Sequence, residues 1–381
     1  MKKIAIVSSI PFFVVSHLEN KIKYLLKRNY KITIITKQNN LLDKFTDHKN
    51  LNYFNINFSR KISILNDIIC FIILFFHFTI NRYDIIHSYT PKVGFLTSIS
   101  SKLSFNKIRI HTFTGQHWKN KKKITKLFYK ILDKIIINMN TICFADSFSQ
   151  VEYLEKEKVS KRNKVKVIHY GSVGGINFSK IKNLDYNQSS LFNELKISNN
   201  AYVVIFVGRI NVDKGIFQLI EAVLQLKYSI NNLILVLVGP NDLSDNNDKK
   251  KFEKLISQNK ETLYWYGYSN EIEKYLYISN LFCLPSTREG FGTSVIEAGS
   301  MKVPVLVNNI YGLNEIINYK NGFLLDNNTS LEIKKNIEMI FKNKKKAEEL
   351  SGNLYNDILN KYNSLDICKK LEEYYVELMK K

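Results

Sequence analysis

Cysteine is scarce in this 381-residue chain: Cys70, Cys143, Cys283 and Cys368 lie more than 70 positions apart, with no CxxC pair and no neighbouring histidine. That spacing excludes the common zinc-ligand patterns and reads as buried free thiols in a reducing cytosol. Long hydrophobic runs are missing too. The most apolar segment, Ile68–Ile80, has 13 residues and includes His77. It falls short of the roughly 20 that cross a bilayer as a helix, so a buried helix is expected there, with shallow membrane insertion as the alternative. The amino terminus has a basic start and the apolar stretch Ile4–Val7. Ser8 and Ser9 interrupt it, no small-x-small cleavage site follows closely, and Leu18–Arg28 reads as an amphipathic helix. A first buried strand is therefore expected rather than a leader. There is no short-period repeat and no low-complexity tail.

Acidic residues are short in one half only. Residues 1–180 hold 31 Lys+Arg against 10 Asp+Glu, a net of +21, whereas residues 181–381 hold 25 against 24, a net of +1. A coding bias toward lysine acts on the whole chain and cannot produce that asymmetry. A field concentrated on one half attracts an anionic partner: phospholipid head groups, a diphosphate or nucleic acid.

What is present is globular in kind. Apolar residues make up 45% and charged residues 24%, with a mean hydropathy of −0.17, which disfavours wholesale disorder and a polytopic membrane protein. The length argues for two domains. Short β-branched runs at Ile4–Val7, Ile32–Ile35, Tyr53–Ile56, Ile85–Ile86, Ile108–Thr112, Thr141–Ala145 and Val165–Ile168 alternate with stretches long enough for crossover helices. The pattern restarts at Tyr202–Val207 and continues through Leu233–Val238, Thr262–Trp265, Leu281–Leu284, Val303–Val307 and Gly322–Leu324. Such alternation marks parallel sheets with helices on both faces. Two doubly wound α/β domains are expected, 1–177 and 178–355, with a C-terminal segment 356–381 that continues one helical pattern beginning at Ala347.

Open parallel sheets bind ligands beyond the carboxyl ends of their strands, which directs attention to three loops of the second half. In Gly208-Arg209-Ile210-Asn211-Val212-Asp213-Lys214-Gly215, two cations flank a turn that opens a helix, a setting for a diphosphate at a helix N-terminus. In Arg288-Glu289-Gly290-Phe291-Gly292-Thr293-Ser294-Val295-Ile296-Glu297, Gly290 and Gly292 permit close backbone approach, and the helix begins at Thr293 or Ser294. Glu289 and Glu297 there suit the hydroxyls of a sugar and a ribose. The third loop is Tyr311-Gly312-Leu313-Asn314-Glu315, and the order of all three is what chance would fail to reproduce.

With these loops the chain resembles the retaining glycosyltransferases of family 4. The resemblance covers nearly the whole chain and is most specific in the Gly208–Gly215 loop and in the glutamate pair with seven residues between, Glu289 and Glu297. The first half resembles the branch that extends bacterial surface polysaccharides on a lipid carrier, through Pro11–His17, His87–Gly94, Thr112–Trp118, Ala145–Ser147 and Tyr170–Asn177. The resemblance implies a GT-B fold, two Rossmann-like domains facing each other across a cleft, with the last helix crossing back onto the first domain. It implies that Arg209 and Lys214 clamp the donor diphosphate beside Gly208, that Glu297 holds the ribose and Glu289 the donor sugar, that the amides of Gly290, Phe291, Gly292 and Thr293 meet sugar and phosphates, and that the Gly267-Tyr268 turn borders the base. Catalytic roles fall to Glu289, Arg209 and Lys214. Many members carry a histidine where this chain has Thr114, with His117 three residues on, and the paired glycines of the first loop are replaced by Pro11-Phe12-Phe13. His17, His87, Thr114 and His117 are the candidates for the acceptor side.

The activity so implied is transfer of a hexose or N-acetylhexosamine, with retention, from a nucleotide-sugar, UDP-linked by expectation, to an undecaprenyl-diphosphate-linked saccharide. Cationic side chains and helix-end amides stabilise the departing diphosphate, so neither metal nor cofactor is expected. Lys119, Lys121, Lys122, Lys123, Lys126, Lys130 and Lys134 accompany Leu127, Phe128, Ile131, Leu132 and Ile135 in a basic amphipathic pattern suited to an anionic membrane surface. A cytoplasmic enzyme peripheral to the inner face of the membrane is expected. A nucleotide-sugar epimerase of related fold is the alternative enzyme. Nucleic-acid binding would share the charge asymmetry, but no binding motif accompanies it, and no nucleic-acid partner is expected.

Overall fold

The computed structural model describes residues 1–45, 48–59 and 63–381. It divides into two units, Met1–Gly175 with Tyr362–Lys381, and Ile176–Lys361. The first is built on β1 (Lys3–Val7), β2 (Lys31–Thr36), β3 (Leu51–Asn55), β4 (Ile85–Tyr89), β5 (Ile108–Phe113), β6 (Ile142–Ala145) and β7 (Val165–Val167). These pair in the order β3-β2-β1-β4-β5-β6-β7, all parallel. The second contains β8 (Tyr202–Val207), β9 (Leu233–Val238), β10 (Leu263–Trp265), β11 (Leu281–Leu284), β12 (Val305–Asn308) and β13 (Phe323–Leu325). Its order is β10-β9-β8-β11-β12-β13, again parallel. Each strand falls within a few residues of its expected place. In both sheets the winding reverses beside the first strand, next to β1 and next to β8, which is where such sheets bind ligands.

The uninterrupted apolar runs follow from cover on both faces. Ile4 and Ile6 of β1 enter one core with Ile32 and Ile34, whereas Ala5 and Val7 enter the opposite one with Ile35, as a period of two requires. Glu19–Lys27 and Ser364–Lys380 cover the first face with Ile22, Leu25, Ile367 and Leu371, and Tyr24 Oη donates to Glu372 at 2.7 Å. The opposite face receives Val93 and Leu96 from Pro91–Leu103.

Two expectations are corrected. The apolar segment near Ile68–Ile80 is an 18-residue helix, Ile64–Asn81, in which Cys70, Leu74 and Phe78 alone are buried. Among the described residues one stripe meets the core and the other side stays exposed. The helical pattern from 347 to 381 is two helices, Lys344–Lys361 and Ser364–Lys380. Asn363 separates them because its side chain caps the second, accepting from the Leu365 amide at 3.1 Å.

Candidate functional site

In the second unit, the loop after β8 is pinned to its neighbours by backbone. The Gly208 amide donates to Val238 at 2.9 Å, and Ile210 to Pro240 at 2.9 Å. Asn211 caps the single turn Val212–Lys214, and Gly215, at φ +70°, starts the helix Ile216–Leu226. A Cβ at Gly215 would collide with the Pro285 carbonyl oxygen, so this glycine allows the loops after β8 and β11 to touch. The contact is then stitched: the Thr287 amide donates to the Asp213 carbonyl at 2.8 Å and Arg288 Nη2 to Asp213 Oδ2 at 2.9 Å. Lys214 Nζ forms an ion pair with Glu289, whose Oε1 also accepts from Ser286 Oγ at 2.8 Å. Asn308, at the end of β12, donates to the Ser286 carbonyl at 2.9 Å. Gly312 lies where a Cβ would stand 2.7 Å from the Gly290 carbonyl oxygen.

Three loops expected to act together thus form one network, with Lys214 and Glu289 in contact and Glu289 only 9% exposed. Arg209 is held separately: it pairs with Asp242 in the loop after β9 and is far more exposed. The Gly267-Tyr268 turn joins the same edge, the Gly239 amide donating to the Gly267 carbonyl at 2.6 Å. The helices Ile216–Leu226 and Thr293–Ser300 both begin at left-handed glycines, Gly215 and Gly292, and neither has a side-chain cap. Their first-turn amides and dipoles favour an anion. Phe291, just before the second helix, is buried.

Glu297 lies one turn into Thr293–Ser300. Withdrawal from water raises its pKa from 4.5 to about 7, with Glu273 adding to the rise and Lys180 opposing it. Lys180 and Glu273 are themselves an ion pair. Asp242, Ser286, Asp213 and the Lys180–Glu273 pair were absent from the expected site. For Asp242 the signal was available, since Gly239-Pro240-Asn241-Asp242 follows a strand as the other loops do.

In the first unit His17 ends the helix Pro11–His17 after β1; burial and then Lys21 lower its pKa to about 4, so the ring is neutral. Lys21, which sequence reasoning missed, is 2% exposed, its ammonium has no hydrogen-bond partner among the described residues, and burial lowers its pKa to about 8. Thr114 and His117 follow β5, half-buried, with the His117 ring edge-on to Tyr129 at 4.3 Å. His87, the fourth acceptor-side candidate, lies deeper than the others. It is fully buried in β4, with Nδ1 2.6 Å from Tyr375 Oη and Nε2 2.7 Å from Thr112 Oγ1, so both ring nitrogens are occupied within the core. The basic segment forms the helix Lys123–Met139, which exposes Ile124, Leu127, Phe128 and Ile131. Lys126 and Lys130 turn aside to Glu157, at 2.8 and 3.0 Å. Among the described residues no group of three or more His, Cys, Asp and Glu is arranged to hold a metal ion.

The network that joins the loops after β8, β11 and β12 lies within a stretch that matches a family model. Residues 187–357 match the model for glycosyl transferases group 1. The chain is a glycosyltransferase. This glycosyltransferase is 27% identical over 372 residues to the capsular polysaccharide biosynthesis glycosyltransferase CapM of Staphylococcus aureus, covering 95% of this chain and 94% of that protein. It is 28% identical over 363 residues to the UDP-Gal:alpha-D-GlcNAc-diphosphoundecaprenol alpha-1,3-galactosyltransferase of Escherichia coli, covering 93% and 91%. Among solved structures it is similar to Anabaena Alr3699/HepE in complex with UDP, at a TM-score of 0.79 and 18% identity over 99% of this chain and 100% of that one. That similarity carries the fold: the glycosyltransferase has the GT-B architecture of two Rossmann-like domains.

Proposed function

We propose that this glycosyltransferase moves a hexose or N-acetylhexosamine from a UDP-sugar to a lipid-linked, undecaprenyl-diphosphate-bearing saccharide during bacterial surface polysaccharide synthesis, with retention of the anomeric configuration. The observation that carries the reading is the contact of Lys214 with Glu289 at the end of a sheet where two uncapped helices also begin. A cation, a carboxylate and helix-start amides on one edge match a ligand that is anionic at one end and rich in hydroxyls at the other. The named relatives support the donor and acceptor classes, one being a UDP-Gal transferase to a diphosphoundecaprenol-linked sugar and another a capsule enzyme.

In this reading Lys214 and Arg209 exchange their carboxylate partners for the diphosphate. As the bond to the sugar breaks, charge grows on the leaving phosphate oxygen, and fixed cations and amides stabilise it more than the ground state. The step calls for no metal ion. Glu289 receives sugar hydroxyls, Glu297 the ribose, and the Gly267-Tyr268 turn borders the base. His17, Thr114 and His117 lie on the acceptor side. The basic first half, through Lys121–Lys123 and the apolar stripe of Lys123–Met139, rests on the anionic inner face of the cytoplasmic membrane, where the acceptor resides.

The test is incubation of the full chain with a panel of UDP-sugars and synthetic polyprenyl-diphosphate saccharides, with product mass and anomeric configuration read out. Transfer with an α-linked product from an α-linked donor is expected. An inverted product overturns retention, and a free epimerised nucleotide-sugar without transfer overturns the proposal.

A further inference from the structure

The helix Ile64–Asn81 carries more exposed hydrocarbon than a helix in water should. Ile64 and Leu65 are 73% and 77% exposed, and Ile68, Ile69, Ile72 and Phe76 are also open to solvent. At 100° per residue these side chains fall within one half of the helix circumference, and that half has no charged residue between Ile64 and Ile80. The opposite stripe, Cys70, Leu74 and Phe78, is sealed into the core beneath the sheet. An exposed apolar surface this continuous marks an interaction face.

Length and composition would let this helix cross a bilayer, the one such helix among the described residues, but its surroundings forbid it. His77 stacks on Phe54 at 3.7 Å and meets Tyr83 Oη at 2.8 Å. β4, which follows, lies between β1 and β5 in the middle of the sheet. Spanning would tear the three buried side chains and β4 from the domain. An in-plane position costs none of this.

Charge selects the occupant. The face belongs to the half of the chain with net charge +21, and the helix Pro91–Leu103 packs between it and the lysine-flanked helix Lys123–Met139. A second copy would bring another strongly cationic half against it, whereas an anionic bilayer offers hydrocarbon to the apolar face and negative head groups to the surrounding lysines. The helix also begins beside the ligand edge of its sheet: Asp67 in its first turn pairs with Lys92, which follows β4 directly.

We propose that Ile64–Asn81 is an in-plane anchor that buries its uncharged half in the acyl region of the cytoplasmic leaflet. The anchor sets the carboxyl end of the first sheet at head-group depth, where a lipid-borne diphosphate is held without leaving the membrane. The proposal rests on the membrane reading of the preceding section and adds hydrocarbon insertion to electrostatic attraction.

The native cysteines are buried, so single cysteines placed by Ile68→Cys and Ile72→Cys in the full chain can carry an environment-sensitive fluorophore. Vesicles of phosphatidylcholine with phosphatidylglycerol, with bromine on the acyl chains, should blue-shift and quench both labels. A label at Tyr228→Cys, exposed in the second unit, should do neither. Ile68→Glu with Ile72→Glu should lower vesicle partitioning about tenfold or more while circular dichroism and UDP binding stay unchanged. If the chain floats with anionic vesicles yet labels at 68 and 72 remain unquenched, the anchor is refuted and the electrostatic reading stands. If it fails to float at all, both fall. A dimer abolished by the two glutamates and indifferent to lipid also overturns the anchor.

Discussion

Replacing Lys214 by alanine removes one ammonium from two relationships, and these have different consequences. In the resting enzyme Lys214 neutralises Glu289, which is 9% exposed and also accepts a hydrogen bond from Ser286 Oγ at 2.8 Å. Breaking a fully buried pair costs about 3–5 kcal/mol. Retention of the Ser286 hydroxyl and the partial exposure of the Lys214 side chain, 17%, bring the expected loss of stability to about 1–3 kcal/mol. In the proposed reaction the same ammonium faces the leaving diphosphate, and loss of one preorganised stabilising group costs about 2.7–4 kcal/mol, or 10²–10³-fold in kcat. Adding Glu289→Gln removes the uncompensated carboxylate, so denaturant midpoints should return most of the way to wild type while transfer stays low. UDP binding by calorimetry separates the roles further: Lys214→Ala should weaken it, and Glu289→Gln alone, being on the sugar side, should leave it nearly intact. A double variant that recovers wild-type turnover would refute the diphosphate role, since Lys214 would then serve only to balance a charge.

Glu297 gives a pH signature. Its folded pKa, about 7, lies above the ordinary 4.5, so between these values the native state binds more protons than the unfolded chain, and stability should decline as pH rises through that window and level off above it. Glu297→Gln should flatten the decline in thermal melts at pH 4.5–7, and UDP affinity, which should change across pH 7 in the wild type, should become pH-independent; an identical profile in the variant removes the assignment. Gly215→Ala places a side chain at φ +70° against the Pro285 carbonyl; it should destabilise by more than about 1 kcal/mol and lower UDP affinity, whereas a neutral outcome in both would show that the two loops need not touch. Charge reversal at Lys121, Lys122 and Lys123 should reduce sedimentation with anionic liposomes and spare transfer to a water-soluble acceptor; unchanged sedimentation counts against the basic surface.

The sequence by itself determined the strands and the loops that follow them. Ile4–Val7 and Val203–Val207 are legible as strands because β-branched runs of that length bury on both faces of a parallel sheet. The Gly208–Gly215 and Arg288–Glu297 loops are legible because the sheet's winding fixes where its ligands bind, so position after a strand is already information. Tertiary structure decided everything that depends on distant partners. That Lys214 lies against Glu289, 75 residues away, while Arg209 turns to Asp242, follows from which loop ends converge at the sheet edge. That the His87 ring meets Tyr375, 288 positions later in the chain, likewise follows only from the fold. Ile64–Asn81 shows the same limit on a larger scale: composition records that a helix is apolar, but whether its outer half is covered depends on what the rest of the chain packs against it, and here the described residues bury only the stripe of Cys70, Leu74 and Phe78.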